Sequence, residues 1–432
     1  MRGTRAGLIL LAGIGTLNIG NAAFHLLTAR VLGPSQYSEV ASLVTVAGLI
    51  SLPFSGVQVA IARFVAEDAT RGEAGALASF VRRAMLASVI VAGALAAALT
   101  LVSPVVRNAL GVRHLTPVVL TALYVFPALL APALWGVAQG LQRFALISVS
   151  MVSGTAFRIG IVVALLPFGL GVGGVMGATL LSGFAALAVP MPLVWRWLRR
   201  TADPPAAGTH SDRAVVGYVI PVMAGTLAIT SLTSVDLIAA KVALTSHDAG
   251  IYGSASFIGR LLLYLPTTIA TVLLPKVTSR AVAARDTREI LHASLAVTAL
   301  FSLGATAILV TLPRLVVDVT FGSSYGSAAP LVGLFGLAMT LYALLNILLV
   351  YHLGHGRPGV AWLLLGGAIV QIAIYGAVHG SAYQLITANL ASAGCLLLIH
   401  ELAFEATLVP GSKWLVVTLH HRLLGTRRQR RG

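Results

Sequence analysis

Apolar runs of about 20 residues, each long enough to cross the hydrocarbon of a bilayer at helical rise, recur along the whole chain and are separated by short polar breaks. Twelve can be distinguished, at 6–28, 40–61, 84–103, 117–137, 145–168, 172–194, 216–239, 250–274, 291–312, 328–350, 359–379 and 383–404. The pattern predicts an all-α polytopic membrane protein of about twelve transmembrane helices. The first run carries Asn18, Asn21 and His25 and leaves through Arg-Val-Leu-Gly-Pro with no small-residue cleavage site. It therefore reads as a resident span rather than a removable signal.

One long polar break, RWLRRTADPPAAGTHSDR at 196–213, has the Pro, Gly and charge content of a linker. It divides the spans six and six, which predicts an N-terminal lobe at 1–195, a cytoplasmic linker at 196–213, a C-terminal lobe at 214–408 and a basic tail at 409–432. The two halves echo each other: Arg30, Tyr37, Pro53 and Arg63 punctuate spans one and two, as Lys241, Tyr252, Pro266 and Lys276 punctuate spans seven and eight. Six spans per half give both halves the same orientation, hence a parallel pseudo-repeat about an axis along the membrane normal.

Composition supports this reading and charge orients it. The 432 residues are 57% hydrophobic and 10% charged, with a mean hydropathy of +0.92, far from the quarter charged of soluble domains. A net charge of +16 would suggest nucleic acid in a soluble protein. Its distribution says otherwise: with the N-terminus inside, 22 of the 29 Lys and Arg fall in inner segments, five in outer ones and two within spans. This is the positive-inside rule, and it predicts a multi-pass cell-membrane protein with both termini cytoplasmic. Arg30 and Lys241 read as interfacial anchors. The tail, with GSKWLVVTLHHRLLG and TRRQRRG, reads as a surface anchor on anionic lipid and not as a nucleic-acid contact. The one cysteine, Cys395, excludes a disulfide framework and a Cys-based metal site.

Five segments then carry a resemblance: TARVLGPSQYSEVASL (28–43), IARFVAE (61–67), WGVAQGLQRF (135–144), LLPKVTSRA (273–281) and FGSSYGSAAPLVGLFGLA (321–338). In this order against twelve spans, the chain resembles the polysaccharide biosynthesis or oligosaccharide flippase family, within the multidrug, oligosaccharidyl-lipid and polysaccharide exporter superfamily. The resemblance implies a V-shaped pair of six-helix lobes. These would move a polyprenyl-diphosphate-linked glycan to the outer face by alternating access, for cell-surface polysaccharide biosynthesis, alongside membrane lipids and glycan polymerase or assembly proteins as partners. Some relatives, such as lipid II flippases, resemble a fourteen-span version, so twelve spans count against a general lipid II role.

The candidate chemistry lies in the spans. Arg158 sits 13 residues into span five, about 20 Å at helical rise, and Arg260 ten residues into span eight. A membrane-centre arginine costs about 2.5–3.5 kcal/mol on insertion scales. The spans hold few carboxylates to offset it, so an anionic cargo is a natural partner: the planar guanidinium pairs bidentately with phosphate. Span eight is expected to line the cleft, which favours Arg260 as the diphosphate ligand. For Arg158 a structural lock between spans takes precedence over substrate contact. Asn18, Asn21, His25 and Thr28 share one face of span one, and Thr226, Thr230, Thr233 and Asp236 one face of span seven. Both stripes read as cleft walls or as polar glue between helices. The candidate substrate-binding set is therefore Arg260, Arg158, Asn18, Asn21, His25, Thr230, Thr233 and Asp236, with Arg63 and Lys276 at the cytoplasmic mouth. His25 matches Asp236 in the repeat, and H⁺ or Na⁺ coupling through them stands beside a structural ion pair. No cofactor is expected, nor a metal site, because His352 and His355 in YHLGHGRPG lack a third ligand.

Two other classes compete. A cation-coupled multidrug exporter on the same fold would want carboxylates in its cleft. A polytopic glycosyltransferase or ligase would want acids gathered on an outer loop, where this chain has only scattered ones such as Asp248 and Asp318. The reading is of a transporter, not an enzyme. Reporter fusions after residue 205 and at residue 432 should both report the cytoplasmic side; an outside C-terminus would mean an odd error in the span count.

Overall fold

The computed structural model describes residues 2–404 except 72–73, 170, 200–211, 265, 271–272, 274–276, 278–286 and 379. The linker at 196–213, most of the spans' junction at 271–286 and the tail at 409–432 thus lie largely or wholly outside the described residues. Those described form helices and turns with no strand, as a bilayer demands of backbone that cannot bond to water. The helices are α1 (Arg2–Ser51), α2 (Ser55–Arg71), α3 (Ala74–Ala109), α4 (Leu115–Gly140), α5 (Phe144–Leu165), α6 (Gly171–Ala188), α7 (Met191–Arg199), α8 (Asp212–Ala243), α9 (Ser246–Leu261), α10 (Arg288–Thr311), α11 (Pro313–Thr320), α12 (Ala329–Gly354), α13 (Gly359–Ala377) and α14 (Ala382–Ala403).

Ten helical stretches among the described residues are long and apolar enough to cross a membrane. The first, Ala12–Arg71, is 60 residues long, or about 90 Å at helical rise, and it holds both of the first two predicted spans. They meet at Gly33, whose φ of 70° and ψ of 172° fold the chain back just before Pro34. Proline excludes its predecessor from the α region, and glycine tolerates the positive φ. The expected loop at 29–39 is therefore helical on both sides of a one-residue break. The eighth predicted span, 250–274, begins as α9 and runs into residues outside the description. The sixth stops at Ala188 rather than 194, where the short α7 begins, with Arg196 and Arg199 in its last turn.

Within the N-terminal six, α1 packs on α5, α4 on α2, α3 and α6, and α5 on α6; in the C-terminal set, α8 packs on α13, α10 on α12, and α12 on α9 and α14. The segment WGVAQGLQRF now has a physical role. A Cβ on Gly136 would stand 2.8 Å from the Gln58 carbonyl oxygen, and one on Gly140 2.6 Å from the Val65 Cβ. The G-x-x-x-G spacing lets α4 lie directly on α2.

The two sets meet through α1 against α8 and α9, and α2 against α8. At the end of the bundle carrying residues 30–38, 241–250 and 317–328, here the distal end, the seam is closed. Arg30 donates through Nε to the Thr320 carbonyl at 2.9 Å and through a terminal nitrogen to the Val319 carbonyl, on the last turn of α11, where unpaired carbonyls favour a cation. Lys241 reaches the other way, its Nζ donating to Ser38 Oγ at 2.9 Å. The Tyr325 hydroxyl donates to the Ala29 carbonyl at 2.9 Å. Tyr37, Phe321 and Tyr325 pack as one aromatic cluster. Arg30 and Lys241 are thus not free anchors in the interface: each crosses the seam from its own half. At Gly250 the Pro34 carbonyl occupies the place of a Cβ.

Opening this end must break those contacts. Arg30→Ala and Gly250→Ala should each raise labelling by an impermeant thiol reagent of a cysteine placed at Ala328, which is fully buried, in a Cys395→Ser background. Unchanged labelling would show that the seam does not depend on them.

Candidate functional site

The repeat seen in sequence reappears as chemistry. In the first half His25 Nδ1 is hydrogen-bonded to the Tyr37 hydroxyl at 3.2 Å. In the second the Tyr252 hydroxyl donates to Asp236 Oδ2 at 3.0 Å. The matched residues of spans one and seven thus each hold the matched tyrosine of the following span, and both tyrosines are fully buried. His25 and Asp236 do not meet; each is bound within its own half, and His25 also lies against Phe257 at a ring separation of 4.4 Å.

The two arginines are in unlike settings. Arg260, at the end of α9, donates to Asp236 Oδ1 at 3.2 Å, and the carboxylate is fully buried. Asp236 is further bound by Tyr252 and, at 3.4 Å, by Ser256. Arg158, on α5, has no carboxylate partner among the described residues. It donates to Asn21 Oδ1, and its guanidinium carbon lies 4.1 Å from the centroid of the Phe24 ring, a cation–π contact. Its Nε is buried with no hydrogen-bond partner, as is that of Arg260. Phe24, under Arg158, and Phe257, one turn before Arg260, both pack on His25, so the two arginines approach one region from opposite halves.

The arginine favoured as a ligand has a protein carboxylate, and the one favoured as a lock has none. Arg158 and Asn21 line a cavity of about 290 Å³ inside the N-terminal helix set, bounded by α1, α2, α4, α5 and α6. Span five thus lines a cavity. Thr230, Thr233 and Asp236 are buried at 7%, 6% and 0% exposure, and Thr233 bonds its own helix's Ile229 carbonyl, so this stripe packs inward rather than walling an open cleft. Thr28 likewise bonds the Phe24 carbonyl, and Asn18 is half-buried. Arg63 is ion-paired to Glu67 at 3.0 Å; Lys276 lies outside the described residues.

Sequence reasoning missed Gln58, which donates to Gln139 Oε1 at 2.9 Å and lines the same cavity. It also missed the pairing of His352 with His400, Nε2 to Nε2 at 3.2 Å, which turns His352 into the helix bundle. Among the described residues no three His, Cys, Asp or Glu gather as a metal set would.

Breaking a buried pair by removing one partner costs about 3–5 kcal/mol. Arg260→Ala should therefore lower the thermal stability and yield of the purified protein, and Arg260→Ala with Asp236→Asn should recover most of the loss. A stable Arg260→Ala protein would remove the structural assignment of this pair.

The comparisons with known proteins agree with this architecture. An inward-facing multidrug resistance MATE family transporter of the MOP superfamily superposes with a TM-score of 0.69 at 16% identity, covering 93% of this chain and 98% of that one. An outward-facing MATE structure gives 0.64 at 14%, covering 94% and 96%. A MOP superfamily transporter from Pyrococcus furiosus, described by a reverse polarity of its binding pocket that suggests a different function, gives 0.62 at 15%, covering 94% and 96%. No curated protein matches the chain in sequence. The sequence does match the polysaccharide biosynthesis protein family over residues 5–281, a stretch holding four of the five segments that carried the resemblance. On a membrane-transporter fold, then, this chain belongs to the polysaccharide biosynthesis protein family.

Proposed function

We propose that the chain is a flippase that carries a lipid-diphosphate-linked oligosaccharide or polysaccharide precursor from the cytoplasmic to the outer face by alternating access. The observation that carries this reading is Arg158: a guanidinium deep in a membrane span, on the wall of a cavity, with no carboxylate partner among the described residues and a buried Nε without an acceptor. Charge that the protein leaves uncompensated favours a cargo that brings the opposite sign, and a diphosphate brings it with oxygens matched to the guanidinium fork. A cationic drug would meet the reverse situation. The buried carboxylate of the region, Asp236, already accepts from Arg260, Tyr252 and Ser256, which supports an anionic cargo over a multidrug one. The Pyrococcus furiosus protein shares this fold and is described by a binding pocket of reverse polarity that suggests a different function.

In this reading the lobes at 1–195 and 214–408 rock about α1, α2, α8 and α9. The distal end, poor in Lys and Arg, is the outer face, and both termini are cytoplasmic in the cell membrane. The seam of Arg30, Lys241 and Tyr325 closes the outer side, and release requires it to part. Tail and assembly partners follow from the family role.

Arg158→Ala should stay folded and abundant, because it removes a charge that no protein carboxylate balances, yet it should lose glycan export to below about a tenth of wild type; Arg158→Lys should restore it only in part, since an ammonium lacks the bidentate fork. Export is read as surface glycan in a deletion strain and as cytoplasmic-facing lipid-linked precursor that accumulates. Normal export by a stable Arg158→Ala protein would overturn the anionic-cargo reading.

A further inference from the structure

The partners of the two intramembrane arginines differ by one atom. Arg260 meets the carboxylate of Asp236, and Arg158 meets the amide of Asn21. Asp and Asn share a shape, but an ionised carboxylate only accepts hydrogen bonds, whereas an amide accepts through its oxygen and donates through its nitrogen.

The meeting of Asn21 with Arg158 is imposed by the backbone rather than by the reach of two flexible side chains. Helix α1 lies directly on α5: a Cβ on Gly13 would stand 2.6 Å from Ser148 Oγ, and at Gly20 the Thr155 methyl occupies the place of a Cβ. Asn21 follows Gly20 and Arg158 lies one turn beyond Thr155, so the contact forms just past this close approach. Phe24, one turn after Asn21, sets its ring 4.1 Å from the guanidinium carbon. The guanidinium is thus held from two directions by groups that carry no charge, while its Nε stays without an acceptor. Arginine can only donate, so Asn21 must turn its oxygen to Arg158, which directs its NH₂ away from the guanidinium. Those N–H groups have no acceptor among the described residues, and Asn21 lines the same cavity as Arg158.

We propose that Asn21 sets the charge selectivity of this site. As an amide it positions Arg158 without neutralising it, and it adds its own N–H donors to those a phosphate-bearing cargo meets. The inference rests on the flippase reading above and deepens it. A carboxylate at position 21 would make with Arg158 the internal pair that Asp236 makes with Arg260. It would also confront an entering phosphate with like charge, which opposes binding. One amide in place of one acid thereby separates an arginine held for cargo from an arginine held for stability.

The test uses the full-length protein in lipid nanodiscs and two probes, a polyprenyl diphosphate and the uncharged polyprenol of the same length. The readout is the ratio of their affinities, which a merely structural residue would not move in a folded variant. Asn21→Asp should match or exceed the thermal stability of the wild type and lower the ratio at least about tenfold, as for loss of a charge-assisted contact. Asn21→Ala, which removes the amide but leaves the charge of Arg158, should lower it only about threefold. A wild-type ratio in Asn21→Asp, or a lower ratio found only together with lowered thermal stability, would overturn the assignment. Should Asn21→Asp not fold, Asn21→Ala carries the test, and a wild-type ratio there overturns it. Arg158→Gln separates the two readings. A ratio that falls in Arg158→Gln but not in Asn21→Asp removes the role of Asn21 and leaves the flippase reading, whereas a ratio near one in the wild type removes both.

Discussion

A guanidinium in hydrocarbon has to be balanced, and the rest of this molecule is ordered around two solutions to that constraint. In the C-terminal half the solution is internal: Asp236 comes out of water entirely, and Arg260, Tyr252 and Ser256 close around it. In the N-terminal half Arg158 receives an amide oxygen from Asn21 and the face of Phe24. These soften the cost but supply no negative charge. An internal pair is costly to assemble yet stable once made, because loss of either member strands the other. An uncompensated charge is the opposite case, tolerable only beside a space that a counter-charge can enter. In the proposed function the cavity at Arg158 is such a space, formed in part by the packing of α4 onto α2 at Gly136 and Gly140.

The pseudo-symmetry of the halves puts this asymmetry in relief. Matched positions do matched work where the work is mechanical. His25 and Asp236 each engage the tyrosine that follows, and Arg30 and Lys241 each cross the distal seam, one to carbonyls at the end of α11 and one to a serine of the facing half. Such reciprocal contacts suit a two-state element, since rotation of one half on the other strains both crossings together. Where the work is electrostatic the halves diverge: the equivalents of a histidine and a carboxylate have opposite charge tendencies, and only the carboxylate offers a guanidinium a partner.

Much of the fold was legible in the sequence because membrane spans are a one-dimensional signal. Hydrophobic length marks the helices, loop charge marks their orientation, and the spacing of Pro53 and Tyr37 against Pro266 and Tyr252 marked a repeat whose contacts the structure displays. Boundaries were less legible. The segment at 29–39 looks like a loop because it is polar, but Arg30 and Ser38 bond across to the other half, and the break narrows to Gly33. The site was legible only in residue type. A stripe of Asn, His and Thr shows which face of a helix is polar but not what stands opposite, so sequence alone leaves Thr230 and Thr233 between cleft wall and polar glue, and in the structure both are buried. The partners of Arg158 and Arg260 lie 137 and 24 residues away, and no local pattern distinguishes the arginine that has found a carboxylate from the one that has not. Gln58 left no signal at all: one amide in an apolar run gains meaning only from the Gln139 it meets.

That distinction sets the direction of the proposed cycle. With the distal seam closed and Arg260 satisfied internally, the unspent charge in the described structure lies in the N-terminal half, so an anionic headgroup gains most by binding there first. Once bound, it would lie beside Arg158 and Phe24, the ring that packs on His25. His25 is hydrogen-bonded to Tyr37 and lies tilted against Phe257, and these belong to the aromatic cluster that holds the seam, with Phe257 against Phe321 and Tyr37 against Tyr325. Cargo charge and seam closure therefore share one histidine. A ligand shifts a conformational equilibrium only as far as it interacts differently with the two states. In the proposed cycle His25, through its bond to Tyr37 rather than a pairing with Asp236, is the group by which an anion at Arg158 would make that difference.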